Sequence, residues 1–224
     1  MILNGIPFDL QILNVLAALL LLLSFSMLAQ RRIVVLVNLL ATQGLLLFLA
    51  TMLLAWRTGE HHLYLSAVLT LALKVIGLPW LLRRLIHSLD VYWDTELLIN
   101  PSATMLIGLL IVVFSFGLAQ PISALASTAT RSTLGIAIAV ILLAFLTMIT
   151  RRKAMSQVVA FLSMENGLFF GAMSATYGMP MVVELGVALD VLVAMLVLGV
   201  FFFQIREQFD SLDLHHLEAL KEDE

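Results

Sequence analysis

The chain contains no cysteine, which excludes a disulfide, a thiolate metal site and a cysteine-ligated iron–sulfur cluster on this polypeptide. Charge is scarce as well. Asp, Glu, Lys and Arg make up 12% of the 224 residues, about half the ~25% of an ordinary soluble domain. No glycine-rich phosphate loop, nucleophile elbow or zinc-ligand spacing occurs, so neither a self-contained catalytic site nor a metal or cofactor site is expected. Nothing in the charge pattern suits nucleic acid. What the chain has in excess is apolar side chain: 62% of residues are hydrophobic and the mean hydropathy is +1.07. Such a composition leaves too little polar surface to cover a water-soluble core. The expectation is an all-α, polytopic membrane protein in a lipid bilayer.

A bilayer core about 30 Å thick needs ~20 apolar residues in a helix. By that measure the chain offers seven spans, at 10–29, 33–56, 63–82, 102–120, 132–150, 154–176 and 180–204. No small-residue cleavage site of the secretory type is evident, so the first run is expected to remain as a helix. With the N-terminus outside, nine of the twelve basic residues fall in inner segments: Arg31, Arg32, Arg83, Arg84, Arg151, Arg152, Lys153, Arg206 and Lys221. Arg57 and Arg131 fall outside, and Lys74 lies within a span. This asymmetry is the one expected of cytoplasmic loops and puts the C-terminus inside. Residues 1–205 then form one transmembrane domain, and 206–224 an acidic amphipathic tail. In the inner loop 83–101, Leu85, Leu89, Trp93 and Leu97 recur every fourth residue, which predicts an amphipathic helix lying on the membrane surface. The adjacent His215 and His216 point to different sides of a helix and do not suit a metal.

Four ionisable residues stand inside the spans: Lys74, Glu165, Glu184 and Asp190. Each costs ~3 kcal/mol on insertion scales, so such groups mark ion paths, proton relays or counter-charges. Glu165 lies about eleven residues into its helix, or ~16 Å, near the membrane midplane. Asn166 beside it can bond a neighbouring helix, and Gly167 and Gly171 allow that neighbour to approach closely. Lys74 is too deep to reach either surface easily. Pro79, five residues on, removes a backbone bond and predicts a kink. Glu184 precedes Asp190 by six residues, about 120° around the helix, so the two face different partners. Carboxyls at different depths suit stepwise proton transfer. The competing reading makes all four structural, tying helices together. Asn38, Thr42 and Gln43 are candidates for bonds between helices.

The same residues carry a resemblance. The segment RRKAMSQVVAFLSMENGLFF resembles the second helix of the small K-type subunit of respiratory complex I, and PMVVELGVALDVLVAMLVLGVF resembles the next. By that likeness, which lies within 102–205, Glu165 and Glu184 correspond to two proton-path glutamates. A broader likeness joins MENG, VELGVALDVLVA, FDSLDLHHLEALK and an upstream intramembrane lysine followed by Pro-Trp-Leu-Leu. Together these resemble hydrogenase-4 component E, found also in formate hydrogenlyase-type complexes. The resemblance implies a non-catalytic membrane subunit of a group 4 nickel–iron hydrogenase in the bacterial or archaeal cytoplasmic membrane. Its partners would be antiporter-like and complex I H-type subunits, with a peripheral arm holding the nickel–iron and iron–sulfur centres. None of those cofactors is expected on this chain. Two rival functions are an inert scaffold for antiporter-like subunits and a cation/proton antiporter module.

Overall fold

A computed structural model describes residues 2–3, 6–59, 61–88, 98–123 and 128–176, with scattered positions between 186 and 199. A two-residue antiparallel ladder, β1 (Ile2–Leu3) with β2 (Ile6–Pro7), precedes α1 (Phe8–Ala29). Then come α2 (Ile33–Thr58), α3 (His61–Thr70), a π-helical segment (Leu71–Gly77), α4 (Leu78–Ser88), α5 (Pro101–Ser123), α6 (Thr128–Thr150) and α7 (Ala154–Ala175). The fold is all-α, as the apolar runs predict, and the chain is a multi-pass membrane protein. Six stretches among the described residues are long and apolar enough to cross a membrane. The expected seventh span, 180–204, lies mostly outside the described residues, and the tail 206–224 lies wholly outside them.

Two expectations need correction. The third span does not stop at 82: α4 carries it to Ser88, so 83–88 belongs to the span and not to a separate surface helix. Leu85 and Ile86 are buried in an apolar cluster with Leu36, Leu40 and Val159. Core packing therefore claims the residue that the fourfold repeat assigned to the membrane surface; 89–97 lies outside the described residues. The fourth span also runs past its expected end, with Pro121 inside the last turn of α5.

Helices α1, α2, α7 and α6 pack in a closed ring, each against the next. The α3–π–α4 span flanks α2, and α5 flanks α6 and α1. In lipid, helix association depends on close packing, because tails are as apolar as the side chains. The α6–α7 contact shows this. A Cβ built on Gly167 would lie 3.2 Å from the Ile141 backbone nitrogen, and one on Gly171 would lie 3.0 Å from the Ala137 Cβ. The close approach read from the Gly167–Gly171 spacing is met by α6.

The basic loops gather at one end. Arg151, 1% exposed, donates from Nη2 to the carbonyls of Met27 (2.9 Å) and Leu28 (3.3 Å) in the last turn of α1. Burial pushes its guanidinium down to about 10, still charged at neutral pH. Arg83 donates to Asn38 Oδ1 at 2.7 Å. At the other end, Arg57 Nε meets Asp9 Oδ2 at 2.9 Å, half-open to solvent. Asp9→Asn is expected to lower stability by less than ~1 kcal/mol in thermal unfolding, the usual worth of an exposed pair.

Candidate functional site

Two apolar clusters fill the bundle, one above the other. The first joins Leu13–Leu20 of α1, Leu46–Ala55 of α2, Leu63 of α3 and Phe169–Met173 of α7, with α6. The second joins Met27, Ile33–Leu40, Leu78–Ile86, Val159 and Leu162. Between them every one of four spans puts a buried polar side chain: Ser24, Gln43, Lys74, and Glu165 with Asn166. The result is a polar layer sealed by hydrocarbon on both sides.

Within the layer the side chains are joined. Lys74 Nζ donates to Glu165 Oε1 at 3.0 Å and to Asn166 Oδ1 at 2.9 Å. Asn166 Nδ2 donates to Gln43 Oε1 at 3.3 Å, and Gln43 Nε2 to Ser24 Oγ at 2.8 Å. Ser24 Oγ donates to the Leu20 carbonyl at 2.9 Å. Lys74 also sits 5.3 Å from the centroid of the Phe169 ring, whose negative face favours a cation. Lys74 and Glu165 are 3% and 2% exposed, so water screens their attraction little.

The backbone makes this reach possible. Lys74 occupies the middle of the π segment. Pro79 has no N–H and its ring would crowd the carbonyl four residues back, so the helix widens before it. Leu78 N–H bonds the Leu73 carbonyl five residues back. Before Pro79 the turn takes up the mismatch as π-helix and presents Lys74 to α7. Gly44 lets α2 lie against this segment: a Cβ there would meet the Lys74 Cβ at 2.9 Å and its carbonyl oxygen at 3.0 Å. Backbone cannot yield as a flexible side-chain tip can. Gly44→Val is therefore expected to cost about 1–3 kcal/mol, read as a lower unfolding temperature.

Of the four ionisable residues singled out in the sequence, the structure brings Lys74 and Glu165 together. Glu184 and Asp190 lie outside the described residues. Of the three polar candidates in α2, Gln43 joins the layer. Asn38 is instead at the basic end, holding Arg83, and Thr42 bonds its own helix at the Asn38 carbonyl. Ser24 was missed. One hydroxyl in an apolar run gives no signal until its neighbour Gln43 is placed beside it.

The uncharacterized protein Rv0085 of Mycobacterium tuberculosis is 35% identical over 187 residues, covering 83% of this chain and 85% of that one. Hydrogenase-4 component E of Escherichia coli K12 is 28% identical over 187 residues, 84% of this chain and 82% of its own length. The Shigella flexneri protein of the same name matches to the same extent. The chain is a homologue of hydrogenase-4 component E. The component E likeness runs over most of both chains. No protein-family model matches the sequence, and no solved structure matches it.

Proposed function

We propose that this component E relative is a non-catalytic membrane-arm subunit of an energy-converting hydrogenase-type complex, and that its Lys74–Glu165 pair carries a proton step coupled to redox chemistry on other subunits. The observation behind this reading is an ion pair at 3.0 Å, almost wholly buried, between two apolar clusters. A buried pair is a poor stabiliser, because apolar residues of like volume often serve stability as well or better. Its presence in hydrocarbon is better explained by use.

The step itself is simple. The proton on Nζ passes to Oε1, leaving a neutral amine and a neutral carboxylic acid. Both forms carry the same total charge, so the pair can switch without moving net charge into the membrane. A field change from a neighbouring subunit biases which form prevails. Glu184 and Asp190 would take the proton on through water, at other depths in the next helix. Antiporter-like and H-type subunits would be the neighbours, with the metal centres in the peripheral arm. Formate hydrogenlyase-type complexes are one setting for such an assembly.

The test is ion translocation in sealed vesicles holding the intact complex, wild type against Glu165→Gln, with assembly followed by native gel. Translocation is expected to fall about 100-fold or more, the lower end of the ~10²–10⁴ that a proton-transfer group contributes. An assembled complex that pumps at the wild-type rate would make the carboxyl structural and favour the scaffold.

A further inference from the structure

Glu165 and Asn166 offer Lys74 oxygens of unlike kind. Glu165 can gain and lose a proton; the Asn166 amide cannot. An ammonium donates and never accepts, so the amide must turn Oδ1 towards it. That choice leaves Nδ2 facing α2, and Gln43 must then present Oε1. Gln43 Nε2 is left to face α1, where Ser24 Oγ accepts and passes its own proton to the Leu20 carbonyl. Every donor in the string points away from Lys74, and every oxygen faces back towards it. One charge on the third span thus dictates the orientation of three side chains on α7, α2 and α1, all of them 0–2% exposed.

We infer that Gln43 is a positioning residue: backed by Ser24, it locks the Asn166 amide with Oδ1 on Lys74, so that the ammonium keeps an oxygen partner when Glu165 gives up its charge. The role rests on the proton-step reading of the same pair. If Glu165 takes a proton from elsewhere in the path while Lys74 keeps its own, the ion pair is gone, and the Asn166 oxygen still holds the ammonium in a medium where a charge is costly. An oriented amide does not titrate and holds in either state. Glu165 is then the changing partner of Lys74 and Asn166 the constant one.

A residue as buried as Gln43 could instead be there to fill space. The two roles predict opposite orders for two variants. Gln43→Glu keeps the shape and the accepting oxygen and puts a second oxygen in place of Nε2: the first accepts from Asn166 Nδ2, and the Ser24 hydroxyl swings from Leu20 to the second. Gln43→Met fills the space and offers Asn166 no acceptor, so the amide loses its orientation. Filling alone would favour Met and penalise a buried carboxylate.

The experiment reads Lys74 directly and needs no translocation. The full chain, labelled with 15N-lysine and placed in lipid nanodiscs, has three lysines, Lys74, Lys153 and Lys221. The Lys74 signal is the one lost in Lys74→Met. Exchange of its Nζ protons with water is expected to be slow in wild type and Gln43→Glu. In Gln43→Met it should be about tenfold faster or more, the loss of one hydrogen bond on a charged group. Ser24→Ala should give a smaller change in the same direction. If exchange in Gln43→Met is as slow as in Gln43→Glu, or slower, Gln43 fills space and the inference is wrong. A Glu165→Gln complex that assembles and still translocates at the wild-type rate would end the proton-step reading and leave this comparison of exchange rates intact.

Discussion

Lys74→Met lowers the unfolding temperature of the protein by roughly 10 °C, the equivalent of about 3–5 kcal/mol for breaking a buried pair from one side. The reason lies in what stays behind. Glu165 is 2% exposed, and among the described residues Lys74 is the cation in contact with it. Removing the lysine takes the cation at 3.0 Å from a buried carboxyl, and the Asn166 and Gln43 amides lose the group that orients them. Removing both charges should be milder. In Lys74→Met/Glu165→Gln the loss is expected to be smaller than the sum of the two single losses by about 2 kcal/mol, since directly bonded residues couple. The measurement is a double-mutant cycle of thermal unfolding in one lipid or detergent system. Strict additivity would mean that the 3.0 Å contact contributes nothing to the folded state.

The second large effect is expected at Arg151. Its guanidinium holds the Met27 and Leu28 carbonyls, where α1 runs out of intrahelical donors. A cation there also faces the negative end of the α1 dipole. Arg151→Met keeps the apolar stem and removes the donors, with a loss of about 3 kcal/mol for hydrogen bonds from a charged group. Hydrogen exchange should locate the damage. The amides at the start of α2 and in the turn Gln30–Arg32 should exchange faster, while those around Leu47 and Ala50 stay protected. Arg151→Lys should recover part of the loss, because an ammonium keeps the charge and the donors but sits on a shorter stem without the planar, pre-organised guanidinium. Unchanged exchange at the α1–α2 turn would show that its order comes from elsewhere.

How much of this was legible beforehand differs by feature. Span positions follow from a composition that no soluble fold could bury, and six of the seven expected spans have a counterpart within a few residues. The Gly167–Gly171 face was legible because small residues four apart have one use in lipid, close approach. Lys74 and Glu165 stood out one by one, since each is anomalous in its own helix. Their pairing did not, as 91 residues separate them and sequence alone does not say which helices adjoin. The π segment escaped for a related reason: proline predicts a disturbance, but neighbours decide whether it becomes a bend or a wider turn. Leu85 misled because a fourfold apolar repeat looks the same on a helix facing lipid headgroups and on one facing a core.

The order of the two charges along the chain has a consequence for how the protein is made. The ribosome delivers Lys74 to the membrane 91 residues before Glu165 exists. At about 5–20 residues per second the lysine waits roughly 5–20 s for its counter-charge. The third span, with a mean hydropathy of 1.9 despite its lysine, is apolar enough to partition by itself. Its ammonium nevertheless has to be sheltered meanwhile, and α2, already synthesised, is the helix that packs on the π segment at Gly44. The bundle is thus assembled around a cation whose α7 partners arrive late, and completing α7 closes it.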